Sequence, residues 1–131
     1  GDTSLGSTTG ASPSVGNITE TFVGTLTSNS STSFPFASSS SGSISATLTS
    51  FTPPNTTLKV GLWLGVWDGA RCLFGVVNDQ ATGGDPTATT PVGGSVVTGF
   101  ATGAGSWCVK IFDSMGAVTV PETYQIDVTH P

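Results

Sequence analysis

Residues that could perform acid–base or nucleophilic chemistry are few and widely spaced in this chain of 131 residues. The sole histidine, His130, is the penultimate residue, and the sequence suggests no serine and carboxylate partners for a triad around it. The chain has no G-x-S-x-G elbow, no H-E-x-x-H motif and no C-x-x-C motif. We therefore predict a protein that is not an enzyme, without zinc or nucleotide, in which His130 has a structural or solvated role.

Calcium is the one metal for which the sequence offers ligands, because it binds clustered carboxylate and amide oxygens on loops. Asn78, Asp79 and Asp85 share one loop, and Asp68 or Asp113 could approach from neighbouring loops. Their spacing matches no EF-hand or repeat signature, and the same residue types commonly form Asx turns. A calcium site and a set of turn-forming residues are both open interpretations of this loop.

The tryptophans are candidates for a ligand platform, because an exposed indole face can stack on the flat apolar face of a sugar ring. Trp63 and Trp67 lie on the same face of a predicted strand, and Trp107 lies on another strand. The alternatives are packing in the core and contact between subunits, which exposed apolar patches also serve. The platform interpretation is strongest for Trp63 and Trp67.

The two cysteines, Cys72 and Cys108, each lie inside a strand-like run. Such residues can meet across adjacent strands as one disulfide, which would indicate an oxidising compartment. The alternative is a pair of buried free thiols. Because the chain also begins with Gly1 and not with methionine, we expect a mature secreted protein, located outside the cell or on its surface.

The elements that position these residues are predicted to be strands, because the apolar residues recur at a period of two. Ile44, Ala46 and Leu48 alternate with small hydroxyl residues, and the run 58–67 has apolar residues on both faces, as expected of a central strand. Strands are predicted at residues 18–26, 33–36, 42–50, 58–67, 71–77, 95–101, 106–112 and 123–129. This pattern predicts an all-β domain at residues 17–131, an antiparallel β-sandwich of seven to nine strands with almost no helix.

Charge is scarce in the chain, at 8% of residues, and the formal net charge is −5. Its basic residues, Lys59, Arg71 and Lys110, are too few for the cationic surface that binding of a nucleic-acid backbone requires. No run approaches the roughly 20 apolar residues of a membrane-spanning helix. We therefore expect neither nucleic acid nor a membrane span.

Residues 1–16 are small and polar, with Leu5 and Val15 as their only large apolar side chains. This composition is typical of an extended arm outside the folded domain. The arm could lie on its own sandwich or pair with the sheet edge of a neighbouring subunit, where backbone hydrogen bonds would supply affinity. In the second case Leu5 and Val15 would set the register.

Hydroxyl-rich tracts at residues 28–33 and 38–41 could accept O-linked sugars, which would explain how so few charges keep the surface soluble. N-x-[ST] sequences occur at Asn17, Asn29 and Asn55. The sequence leaves open whether either kind of site carries a sugar.

The motifs TLKVGLWLGVWDG, VVNDQAT, GSWCVKIFD and TYQIDVTHP follow one another in the second half of the chain. With TFVGTLTSNSSTSFPF and SGSISATLTS before them, they resemble bacterial secreted domains of the pre-peptidase C-terminal (PPC) type over residues 21–131. The resemblance implies a jelly-roll-like sandwich that serves as a non-catalytic module and, in some cases, binds calcium or polymers such as collagen or polysaccharide. This chain carries no enzyme domain, which favours an independent structural role.

Two functions are consistent with these features. The first is a subunit of a self-assembling extracellular filament or surface layer, with copies of the same chain as partners and residues 1–16 as the joining arm. The second is a PPC-like module that binds polysaccharide or protein fibres at a cell surface through Trp63, Trp67 or the loop at residues 78–85. No cofactor is expected, and a structural calcium ion is the one alternative that the sequence leaves open.

Overall fold

The structure, a computed structural model, describes residues 17–55, 57–74, 89–91 and 96–131. These residues form strands and no helix, as the period of two predicts. The strands are β1 (Ile18–Leu26), β2 (Ser31–Ser38), β3 (Gly42–Thr52), β4 (Lys59–Trp67), β5 (Cys72–Phe74), β6 (Thr89–Pro91), β7 (Val96–Ala101), β8 (Gly105–Phe112) and β9 (Glu122–His130). The described residues contain no helix that is long and apolar enough to cross a membrane.

The strands form two antiparallel sheets that pack face to face. The first sheet has the order β1-β9-β3-β7, and the second has the order β2-β8-β4-β5. Strands β5 and β6 both pair with the side of β4 that faces away from β8. Strand β6 pairs with residues 59–61 of β4, and β5 pairs with residues 65–67 of β4. Strands β1 to β4 alternate between the two sheets, as do β7 to β9, and this is the arrangement of a jelly roll. The predicted fold class is confirmed.

The core lies between the sheets and is built from the alternating apolar residues of both. In β3 the buried residues are Ile44, Ala46 and Leu48, the three that the sequence predicts, and also Phe51, which follows a bulge between Leu48 and Ser50. Strands β4 and β9 contribute Leu62, Leu64, Ile126 and Val128, each at most 1% exposed. Burial of one such Leu, Ile or Val side chain contributes about 1.5–3 kcal/mol, so these rows account for much of the stability.

One end of the sandwich is closed around His130, which has no exposed surface. Its Nε2 lies 2.6 Å from Glu20 Oε2, and its Nδ1 lies 2.9 Å from the carbonyl oxygen of Pro131. The ring stacks on Phe36 of the opposite sheet, with 4.8 Å between the ring centroids. The histidine therefore packs against both sheets, and both of its ring nitrogens have partners.

The opposite end of the sandwich is held together by Asp113, which follows β8 and is 2% exposed. Its carboxylate accepts hydrogen bonds from the backbone N–H groups of Asn29, Ala117 and Val118 at 2.9–3.2 Å. Burial raises the pKa of Asp113, but these donors and the N–H of Met115 outweigh burial and hold it below its usual value of 3.8. One carboxylate thus ties the β1–β2 turn to the β8–β9 loop.

Several sequence predictions need adjustment or lie outside the described part of the chain. The short strand β6 was not predicted, and β2 is longer at both ends than the predicted 33–36. The predicted strand at 71–77 is described only as far as residue 74. The following residues from the sequence predictions lie outside the described residues: Leu5, Val15, Asn78, Asp79 and Asp85.

Candidate functional site

The predicted disulfide is present and joins Cys72 of β5 to Cys108 of β8, with 5.7 Å between their Cα atoms. The expectation that the cysteines lie on adjacent strands is wrong, because β4 lies between β5 and β8 in the sheet. In the register, Cys72 is opposite Trp67 and Cys108 is opposite Gly65. The disulfide therefore crosses β4 on the outer face of the second sheet.

Gly65 makes this crossing possible. A side chain at this position would point to the outer face and overlap the backbone carbonyl of Leu73 in β5. Its Cβ atom would also lie 3.0 Å from the ring of Trp63. Strand β5 and its hairpin therefore fold partly over the outer face of the sheet, above a residue that has no side chain.

The two tryptophans of β4 differ in exposure. Trp63 is 5% exposed; its ring is edge-on to Phe112 at 6.5 Å, and Lys110 Nζ lies 5.3 Å from the ring centroid. Trp67 is half-buried and lines an open groove. Trp63 is covered, as a strand buried on both faces requires, so of this pair Trp67 alone presents an open surface to a ligand. The third tryptophan, Trp107, belongs to the core.

Two adjoining grooves run along the outer face of the second sheet. The first, of about 370 Å³, lies between β2 and the β4–β5 hairpin and is lined by Trp67, Arg71, Lys110 and hydroxyl residues of β2. The second, of about 390 Å³, continues from Lys110 and the edge of Trp63 toward Asn29. They share Ser31 and Lys110. We name the two grooves together the cationic trough.

The cationic trough contains two of the three basic residues of an acidic chain, Arg71 and Lys110. The Arg71 side chain is 79% exposed, and its Nε lies 3.9 Å from the carboxylate of Asp68. That carboxylate also accepts the N–H groups of Arg71 at 2.6 Å and Ala70 at 2.8 Å, and these bonds hold the pKa of Asp68 below its usual value. The guanidinium of Arg71 thus stays largely open to solvent.

Among the described residues, the carboxylates nearest the trough are already engaged with the backbone. Asp68 closes the β4–β5 hairpin, and Asp113, which lines the second groove, accepts the three backbone donors described above. Within the described ranges, no three His, Cys, Asp or Glu side chains come together as a metal site. The calcium prediction for Asn78, Asp79 and Asp85 lies outside these ranges and stays a prediction.

A separate groove of about 420 Å³ lies on another part of the surface, between the β3–β4 and β8–β9 loops. It is lined by Asn55, Lys59, Met115 and their neighbours. Asn55 Oδ1 accepts the N–H groups of Thr57 and Leu58, so the asparagine shapes the loop here. This groove contains the third basic residue, Lys59, but neither a tryptophan nor a second cation among its lining residues.

The second notable surface is the free edge of β1. This strand pairs through nine residues with β9, and no strand among the described residues pairs with its other side. Two of its apolar side chains are exposed, Ile18 at 54% and Val23 at 58%. A long edge of this kind presents unpaired N–H and C=O groups that can bind another strand.

Sequence reasoning did not identify Arg71, Lys110 or the β1 edge as functional. It counted the basic residues only to exclude nucleic acid. A signal was nevertheless present, because Arg71 precedes Cys72 and Lys110 lies two residues after Cys108. A disulfide between these cysteines brings the two cations to one region of the surface.

No model of a known protein family matches the chain, and a search of curated proteins finds no significant match. The resemblance to PPC domains therefore rests on the motifs in the sequence and stays a prediction.

Proposed function

We propose that the protein is a non-catalytic extracellular structural protein whose copies assemble by strand addition at the edge of β1. In this proposal, residues 1–16 of one subunit pair with β1 of the next. The observation that carries it is the nine-residue strand β1, which directly follows the arm in the sequence and pairs on only one side among the described strands.

The β1 edge lacks the features by which sheet edges usually avoid association, namely proline, lysine, bulges and short length. Strand β2, the neighbouring edge of the other sheet, has Pro35 in its middle, and β5 has three residues. Strand β1 has nine residues, without proline or lysine. Its only charged residue, Glu20, is bonded through its carboxylate to the buried His130 at the end of the sandwich.

Side-chain pairs hold β1 firmly in register, so that its free edge is presented as an ordered template. On the outer face of the first sheet, Thr19 Oγ1 and Thr129 Oγ1 are 2.8 Å apart, and Thr21 Oγ1 donates to Asp127 Oδ1 at 2.9 Å. Cross-strand pairs of this kind each contribute about 0.2–1 kcal/mol. A template that is already ordered loses little conformational entropy when a strand binds to it.

The arm is suited to be the added strand. Sixteen extended residues span about 50 Å, which exceeds the roughly 30 Å of a nine-residue strand. Its small polar residues can pair through the backbone, and Leu5 and Val15 can set the register. The disulfide supports an extracellular location, because such bonds persist in oxidising compartments.

The experiment measures assembly as a function of protein concentration, by light scattering and electron microscopy, for the full chain, a chain lacking residues 1–16, and V23K. Lysine in the middle of an edge strand opposes pairing because its charge must be desolvated. The matched control is V120K, since Val120 is a similarly exposed valine at 50% but lies in the β8–β9 loop.

We expect the full chain and V120K to assemble, and the truncated chain and V23K to remain monomeric. Equal assembly of V23K and V120K would exclude the β1 edge as the interface. If the truncated chain assembles as well as the full chain, the arm is not the added strand and the proposal fails.

A further inference from the structure

We propose that the cationic trough on the outer face of the second sheet binds an anionic polysaccharide, a chain of sugar rings carrying carboxylate or sulfate groups. This function goes beyond assembly and does not depend on it, because the trough and the β1 edge belong to different sheets.

The first argument is the placement of charge. The chain has eight acidic and three basic residues, yet Arg71 and Lys110 lie along the same trough. Among the described residues that line the trough, the one carboxylate belongs to Asp113, which is 2% exposed and accepts three backbone N–H groups. In this described lining the cations are therefore the accessible charges, and the nearby Asp68 carboxylate lies 3.9 Å from Arg71 Nε and is bonded to two backbone N–H groups. The chain as a whole has a net charge of −5 and repels anions. Such local complementarity selects anionic partners.

The second argument is the flat aromatic surface beside the cations. Trp67 lines the same groove as Arg71 and Lys110, opposite the hydroxyl groups of Ser31 and Ser33. An indole face packs against the apolar face of a sugar ring, hydroxyl groups bond the ring hydroxyls, and a guanidinium binds a carboxylate or sulfate in a forked geometry. Two cations are too few for the dense charge of a nucleic acid but suit a polymer with spaced charges.

The third argument is rigidity. The disulfide fastens the β4–β5 hairpin, with Trp67 and Arg71, across β4 onto β8, which carries Lys110. Lys110 is opposite Trp63 in the register, and its ammonium group lies over the ring of that buried tryptophan. The backbone positions that carry these side chains are therefore fixed before a ligand binds, which lowers the entropic cost of binding.

The test measures binding by isothermal titration calorimetry, with polygalacturonate compared with its methyl ester and dextran sulfate compared with dextran. Within each pair the sugar backbone is the same, and only the first polymer is charged. We expect at least one charged polymer to bind about tenfold or more tightly than its neutral counterpart, with affinity falling as salt is raised. Which of the two binds distinguishes a carboxylate ligand from a sulfate ligand.

Variants locate the binding site. K110Q and R71Q should each weaken binding about fivefold, as expected for an exposed ion pair, and K110R should restore it. W67A should weaken binding about tenfold through loss of stacking. The matched control is K59Q, which removes the same charge from the outer face of β4 but lines the separate groove, and it should change affinity less than about twofold.

Several results would overturn the proposal. They are the absence of binding to both charged polymers, equal binding of a neutral counterpart, and an effect of K59Q as large as that of K110Q. Binding of poly-glutamate as tight as that of the polysaccharide, with no effect of W67A, would indicate an acidic peptide ligand instead. All variants are first compared in thermal unfolding, and binding is repeated in the V23K background so that failure of assembly and failure of binding are distinguishable.

Discussion

Reduction of the Cys72–Cys108 disulfide should lower the free energy of unfolding by about 4 kcal/mol. The cysteines are 36 residues apart, so the bond closes a loop of that length in the unfolded chain. For such a loop the chain-entropy relation gives about 13 cal/mol/K, which is about 4 kcal/mol at 25 °C. This is a large part of the 5–15 kcal/mol that is typical of a folded domain.

The measurement is urea unfolding followed by tryptophan fluorescence, on the oxidised protein and on the same protein held reduced. With a slope of about 2 kcal/mol per molar urea, the midpoint should fall by about 2 M. The slope itself should rise on reduction, because an unfolded chain without the cross-link exposes more surface. The double variant C72A/C108A, measured without reductant, controls for effects of the reductant.

A midpoint shift below about 0.5 M for both the reduced protein and the double variant would refute this reasoning. It would mean that the 72–108 loop remains closed in the unfolded state, or that strain in the folded state offsets the loop entropy. A shift seen with the reductant but not with the double variant would point to the reductant and not to the disulfide.

Substitutions at two further positions, Asp113 and Gly65, test the packing that surrounds the trough. Asp113→Ala should destabilise the fold by about 3 kcal/mol in thermal unfolding, because three backbone donors lose their acceptor. The pKa of Asp113 is lower in the folded state than its unfolded value near 3.8. The stability advantage of wild type over Asp113→Asn should therefore be complete above pH 3.8 and disappear as the pH falls through the folded pKa. A stability advantage that does not change with pH would contradict a charged Asp113. Gly65→Ala should cost about 1–3 kcal/mol because its Cβ meets the Leu73 carbonyl. The matched change Gly103→Ala, with no atom within 4 Å of its Cβ, should cost less than about 0.5 kcal/mol, and equal costs would show that β5 does not lie over Gly65.

The parts of the fold that could be predicted from the sequence are those in which local pattern and tertiary environment agree. Strand β1 has the predicted bounds, and Ile44, Ala46 and Leu48 of β3 are buried as predicted, because alternation encodes which face is buried. The burial of Phe51 was not predicted, because a bulge between Leu48 and Ser50 shifts the alternation. Strand β6 could not be predicted, since Thr89–Pro91 lies in a run of threonine, proline and glycine that is typical of a loop. Its strand conformation depends on pairing with residues 59–61, which are distant in sequence.

The candidate sites depended more on long-range geometry. The burial of Trp63 involves Phe112 and Lys110 of β8, which meet its ring only when β8 pairs with β4. Gly65 permits β5 to fold over the outer face of the sheet, but a glycine inside a strand also occurs at bulges and bends, so the sequence alone does not distinguish these cases. The convergence of Arg71 and Lys110 likewise requires the strand order β8-β4-β5.

The two proposed surfaces are compatible in one assembly. A strand added to β1 extends the first sheet in its own plane, whereas the cationic trough lies on the outer face of the second sheet. Each added subunit would therefore bring its own trough into the assembly. A site formed by the exposed Arg71 and the half-buried Lys110 and Trp67 should bind weakly by itself, but linked copies on one polymer can gain about 10²–10⁴-fold in avidity. Weak binding by each subunit and firm attachment of the assembled protein would thus follow from the same geometry.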